Sequence, residues 1–448
     1  MKLLTQIKGR LSWWAVAGLA CAFCGAFVGV RASAQDVAIT NARLVIGDGS
    51  APIAGGTVVI RGGRVVAAGA DVAVPVDVTV VDAAGQWVTP GIVAGFSRVG
   101  LVEVDAVDGS NDASSETSVY GAAIDIAPAL NPLGTPVAVN RLSGVTRALV
   151  YPGRSAGLFN GRGALVDLGS DTNMVTRAGL FQYVELGETG AGRAGGSRQA
   201  AILHFRSLLQ EAQDYARNPA AYDGRSRDAL LTRVDAQALL RVLDGRDRLF
   251  IKVERASDIL SVITLMREFG GIRPTLIGAT EGWTVAREIA AANIPVIASA
   301  LNDLPDSFEQ IAATQSNIGR MQAAGVQVSI GLVDDNETHK LGYARQYAGN
   351  LVALLRIPGA TGVSWDNGFA LISSGPAAAA GVDGEIGSLR TGRVGDVIIW
   401  DGDPLEPTSA PVAIYIDGVA QSLVSRQTRL RDRYLNPLEG DLPNAYDR

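Results

Sequence analysis

Over residues 37–88 apolar and polar positions alternate in short runs broken by glycine. "AITNARLVIG", "GTVVIRGGRVVAAG" and "VTVVDAAGQWV" carry the β-branched content of strands. Gly62-Gly63, between "TVVI" and "RVVAAG", marks a hairpin, because a two-residue hairpin turn needs backbone conformations that glycine adopts freely. The centre of the chain has a different period. Apolar runs "TRALVYPG" (146–153), "RLFIKVE" (248–254), "RPTLIGA" (273–279), "IPVIASA" (294–300) and "VQVSIG" (326–331) are interleaved with helical stretches. Those stretches fall near 200–217, 228–243, 256–269, 281–292 and 307–323; in the third, Asp258, Leu260, Ile263, Leu265 and Met266 lie near one stripe. Such alternation predicts parallel strands with helical crossovers. Two further strand regions, "GSLRTGRVGDVIIWDGDPLE" and "PVAIYIDGVAQSL", follow residue 380. The polar tail after 426 holds two prolines and is expected to be only partly ordered.

The fold class this predicts is α/β. A TIM-like (β/α)8 barrel spans 90–379, and the two chain ends (35–89 and 380–426) build one small β-sandwich. Residues 1–34 and 427–448 lie outside both. With 448 residues, 47% hydrophobic and 19% charged, the chain has ample material for a large core.

The first 34 residues read as a secretory signal. Lys2, Lys8 and Arg10 precede an uncharged run from Leu11 to Val30, and Ala32-Ser33-Ala34 offers a small-x-small cleavage site. The expectation is cleavage after Ala34 and a periplasmic or secreted protein, with an uncleaved anchor as the alternative. Cys21 and Cys24 both lie in this segment, so cleavage leaves no thiol for a disulfide, a zinc site or a nucleophile. Removing the segment takes the formal net charge from −6 to −10. That balance argues against nucleic acid as a partner, and for no membrane association once the signal is gone.

The stretch "VTPGIVAGFSRVG" (88–100) brings chemistry into view. Together with "ITNARLVIGDGSAPIAGGTVVIRGGRVVAAG", "GVTRALVYPGRSAGLFNGRGALVDLG", "AGNLVALL" and "GEIGSLRTGRVGDVIIWDGDPLE" it resembles the amidohydrolase superfamily, especially its imidazolonepropionase-like branch, over about 37–424. The resemblance implies hydrolysis of non-peptide C–N and related bonds by one or two ions of zinc or another divalent metal at the C-terminal mouth of the barrel. It implies an H-x-H pair after the first barrel strand, further histidines on later strands, and an aspartate on the last.

Those ligands are missing from this sequence. The H-x-H positions fall on Phe96 and Arg98, and the preceding aspartate is Ala94. Phenyl has no lone pair to donate, and guanidinium stays protonated. "IKVERASD" places Lys252 and Glu254 where imidazoles are implied, and "TLIGATEGW" has no histidine. The last-strand acid matches Asp334, with Asp335 one register away, in "SIGLVDDNETH". Of the two histidines, His204 sits in a helix-like stretch, and His339 lies near the predicted mouth as a possible ligand contact. No metal cofactor is therefore expected. Arg98, Lys252, Glu254 and Asp334 are candidates for a salt-bridge network in its place, since buried charges need partners.

Two other signals are weaker. Asp105, Asp108, Asn111 and Asp112, within an acidic loop at 103–116, supply oxygen ligands without EF-hand spacing. A solvated or substrate-facing loop is the expectation there, and calcium the alternative. The Gly-rich "GLFNGRGALV" reads as a loop passing over the barrel mouth, and no G-x-S-x-G elbow is present.

Three functions stay open. One is a degenerate amidohydrolase acting as a non-catalytic or partner-supporting subunit, its partner a catalytically competent paralogue in a homo- or hetero-oligomer. Another is a hydrolase using Asp334 or Glu254 as its catalytic carboxylate. The third is a periplasmic small-molecule binding protein.

Overall fold

The computed structural model describes residues 34–220, 222, 229–300, 302–333 and 338–435. The segment carrying the export expectation lies outside the described residues up to 33. The chain opens with β1 (Val37–Leu44), β2 (Ile53–Arg61), β3 (Arg64–Gly69), β4 (Thr79–Asp82) and β5 (Trp87–Pro90). Then come β6 (Ile92–Ser97), β7 (Val145–Val150), β8 (Phe159–Asp167), β9 (Val175–Glu185), β10 (Arg248–Val253), β11 (Pro274–Gly278), β12 (Val296–Ala298) and β13 (Val328–Ile330). The chain closes with β14 (Val397–Trp400), β15 (Pro411–Ile416) and β16 (Val419–Ala420).

Both chain ends enter one sheet, in the order β16-β15-β14-β5-β1-β2-β3, with β4 also paired to β1. The β2–β3 hairpin turns at Gly62 and Gly63, with φ of +54° and +77°. Those left-handed values fit the twist of the flanking strands. The joint between β5 and β14 is buried: Trp400 Nε1 donates to Thr89 Oγ1 at 2.9 Å.

Strands β6 to β13 form the second sheet in chain order, and it curls toward closure. Leu332 N–H, just past β13, donates to Phe96 O on β6 at 3.3 Å. A Cβ on Gly95 would sit 2.4 Å from Ile330 O, so glycine permits that close approach. Inward side chains from alternate positions fill the interior: Val93, Leu149, Leu165, Phe181, Phe250, Ile277 and Ile297. Phe181 and Phe250 stack there with centroids 4.0 Å apart.

Three local expectations are corrected. The Gly-rich "GLFNGRGALV" is not a loop over the mouth: most of it is β8, which runs antiparallel to both β7 and β9 while the other pairs are parallel. Its glycines serve packing, since a Cβ on Gly163 would fall 2.1 Å from the Phe181 ring. The stretch 307–323 is helical only over Asn317–Ala323. Long-range bonds hold the preceding loop: Glu281 accepts Ala312 N–H, Trp283 Nε1 donates to Ala312 O, and Asp303 accepts Gln315 N–H. On the helix Ala256–Glu268 the buried face is Ile259, Val262, Ile263, Leu265 and Met266, and Leu260 is exposed. The tail begins as a helix, Arg426–Leu435, whose residues are not buried; 436–448 lie outside the described residues.

Candidate active site at the barrel mouth

The C-terminal ends of the parallel strands carry the residues singled out from the sequence. Phe96 is the penultimate residue of β6 and Arg98 follows that strand. The β6–β7 register shifts between Ala94 and Ser97. That irregularity sets Phe96 among the barrel-interior side chains with Val93, whereas Ala94 packs on the helix side. Phe96 is 2% exposed. Its ring lies face-on to Tyr151, centroids 3.6 Å apart and planes within 7°. Tyr183 of β9 meets both rings edge-on at 5.5 Å. Three aromatic rings therefore cap the apolar interior; the two edge-on contacts of Tyr183 have the geometry that ring quadrupoles favour, while the Phe96–Tyr151 stack is held by packing and burial.

Arg98 lies over this cap. Its guanidinium carbon is 6.0 Å from the Tyr151 centroid, and its Nε donates to Thr338 Oγ1 at 2.7 Å. Arg98 N–H also donates to Thr338 O at 3.0 Å. Burial pushes the Tyr151 phenol above its ordinary range, against the opposing pull of Arg98 and Lys252. Tyr151 thus senses both cations, which stand on different strands.

Lys252 near the end of β10 and Glu254 just beyond it come together. Lys252 Nζ is 3.9 Å from Glu254 Oε1. Glu254, 2% exposed, accepts Thr280 N–H at 3.0 Å and the Thr280 hydroxyl at 2.8 Å on Oε2. Gly278, with φ +88°, has no room for a Cβ, which would stand 2.0 Å from Glu254 Oε1. The carboxylate therefore braces the turn after β11 as well as facing the lysine. A cavity of about 250 Å³ adjoins the pair, lined also by Glu185, Asp306, Glu309 and Gln310. Arg193 pairs with Glu185 at 3.2 Å, and Arg198 with Glu309 at 3.2 Å.

Asp334 and Asp335 lie outside the described residues, so the expected network is described only at Arg98, Lys252 and Glu254. Of those three, the lysine and glutamate pair, and Arg98 bonds Thr338 instead. His339 is buried, and its carbonyl accepts Asn140 Nδ2 at 2.6 Å. His204 lies within the helix Arg198–Arg217. In the acidic loop, Asp108–Ser110 form a single tight turn, the Asn111 side chain accepts Ala113 N–H, and the Ser110 hydroxyl donates to the Val104 and Val107 carbonyls. Among the described residues no group of three or more His, Cys, Asp or Glu is placed to hold a metal ion, there or at the mouth.

Sequence reasoning missed Tyr151, Tyr183, Thr280 and Thr338. Tyr183 had a usable signal, since it lies two residues beyond the inward-facing Phe181 on one strand. Thr338 had none, because it reaches Arg98 across 240 residues of sequence.

No protein-family model matches the chain. It is 24% identical over 384 residues to the amidohydrolase tasK of Hapsidospora irregularis, covering 78% of this chain and 38% of tasK. It is 29% identical over 138 residues to the imidazolonepropionase of Maricaulis maris (strain MCS10), covering 31% of each. The chain thus matches well under half the length of these curated relatives. Its fold superposes on an amidohydrolase from Thermotoga maritima MSB8 with a TM-score of 0.74 at 22% identity, over 86% of this chain and 99% of the other. The chain has the fold of the amidohydrolases.

An amidohydrolase metal centre asks for lone-pair donors converging on one point. At the positions where the resemblance implies ligands, this chain carries a phenyl ring, a guanidinium and an ammonium. Glu254 is the carboxylate among them, and one of its oxygens already accepts two hydrogen bonds. The described residues do not fit a divalent ion.

Proposed function

We propose that this chain is a non-catalytic member of the amidohydrolase superfamily, exported, and working beside a catalytically competent amidohydrolase paralogue. The observation that carries the reading is the Phe96–Tyr151 stack at 3.6 Å. Phe96, read as standing where the resemblance implies an imidazole, is packed face-on against a second ring. Without a metal the attacking water keeps a pKa of about 15.7 instead of about 7, and a lone carboxylate replaces little of that activation.

The test is metal analysis of the purified full chain, together with a panel of amide and ureide substrates assayed with and without added zinc or manganese. The expected result is well under one equivalent of bound metal and no turnover. One or two tightly held equivalents, with turnover that a chelator abolishes, would refute it. For the partner, light scattering after co-expression with an H-x-H-bearing paralogue is expected to show a mixed complex; two separate species would remove that part of the reading.

A further inference from the structure

The N-terminal end of the barrel, opposite the mouth, holds a cavity of about 510 Å³. It opens where the helix Ala256–Glu268 and the short helix Ala286–Ala291 end. Apolar side chains, Ile263, Met266, Ile272 and Ile294, line part of it, and Arg248, Arg267 and Arg273 line the rest. Among the described residues none of these three guanidiniums has an ion pair or a side-chain hydrogen bond. Most other arginines of the barrel are paired: Arg162 with Asp247, Arg198 with Asp258, Arg206 with Glu268, Arg241 with Asp247.

Each helix C-terminus presents roughly half a negative charge, so two offset at most about one of the three cations. Asp383 acts on Arg248 from a distance without forming an ion pair. Arg248 is the most burdened of the three. Its Nε is buried without a partner, and burial together with Arg273 pushes its proton affinity down. Like charges brought together in a half-buried cavity are unfavourable unless an anion joins them. Guanidinium suits this task, since its fork of donors matches the oxygens of a carboxylate or phosphate.

We propose that this cavity is a binding site for a small organic anion carrying two or more negative oxygens and a compact apolar body, a dicarboxylate or a phosphate monoester. The arginines take the oxygens, and the isoleucine and methionine wall takes the body. Its volume is in the range of small-ligand pockets, roughly 300–1,000 Å³. The site lies on the face away from Phe96 and Lys252, so it stands or falls independently of whether the mouth is catalytic.

The experiment uses the full chain in low-salt buffer at pH 7.5, titrated with inorganic phosphate, phenyl phosphate, succinate and, as a cationic control, choline. Calorimetry and thermal denaturation read the outcome. Phenyl phosphate or succinate is expected to bind saturably and raise the Tm by several degrees, and choline to do nothing. Tighter binding of phenyl phosphate than of inorganic phosphate would assign the apolar wall its role; equal binding would overturn that part. Arg273→Gln lies on the exposed rim, so the variant keeps the fold, and it is expected to weaken binding about ten-fold or more. Arg248→Gln should abolish binding while leaving the unliganded Tm unchanged or higher, since it relieves repulsion. Absence of saturable binding by all three anions, or binding untouched by both substitutions, overturns the proposal.

Discussion

Phe96→Ala tests whether the barrel mouth is packed as core or held open as a site. The ring is 2% exposed, stacked on Tyr151 at 3.6 Å and met edge-on by Tyr183. Truncating such a phenylalanine removes about 3–5 kcal/mol through lost burial and the void left behind. The edge-on pair with Tyr183 adds roughly 0.5–1.5 kcal/mol beyond area. A destabilisation of about 4 kcal/mol is therefore expected, a large part of the 5–15 kcal/mol typical of a folded domain. Urea denaturation followed by far-UV circular dichroism measures it, with Phe205→Ala, a fully buried ring on the helix Arg198–Arg217, as the reference for an ordinary core position. If the alanine variant does not fold, Phe96→Leu is expected to lose a smaller amount in the same direction. The reasoning fails if Phe96→Ala is neutral or stabilising. Functional sites often behave that way, because their residues are kept at the expense of stability.

Restoring the two implied imidazoles with Phe96→His and Arg98→His should give neither tight metal binding by calorimetry nor turnover, because Lys252 and Glu254 still stand at the end of the later strand β10; a tightly bound ion would refute that account. Asp396→Ala should lower stability by about 3–5 kcal/mol in a denaturant titration, since it strips Arg147, whose side chain is 2% exposed, of a partner at 2.8 Å; a loss below that of an ordinary surface substitution would refute it. Asp167, beside the same arginine, has its carboxyl pushed up to about 6 by burial, against the pull of Arg147. A raised folded-state value means that the folded protein takes up a proton before the unfolded chain does, so this group favours the folded state more as pH falls from about 7 toward 4. Asp167→Asn should flatten that part of the Tm–pH profile and raise the Tm near pH 8, and parallel profiles for the two proteins would count against the shift.

Much of the architecture was legible because periodicity reports burial. The central strand runs at 248–254 and 273–279 fall on β10 and β11, and the hairpin at Gly62-Gly63 turns where its residue types demand. The sequence misled where local pattern competes with distant partners. The stretch 307–316 has helical composition, yet Glu281, Trp283 and Asp303 pull its backbone into a loop. The Gly-rich run of β8 has the composition of a loop, and nothing local reveals that Gly163 makes space for Phe181.

At the mouth the division is the same. Residue types alone determined that Phe96, Arg98 and Lys252 are poor metal donors, since that follows from lone pairs and protonation. The resemblance carried by the flanking motifs implied that strands deliver these side chains to one end of the barrel. Only the tertiary structure decided what the side chains do on arrival: Phe96 stacks on Tyr151, Arg98 bonds Thr338, and Glu254 braces Thr280 while facing Lys252. The partners come from different strands and loops, and the distances that select among them exist only once the barrel has closed.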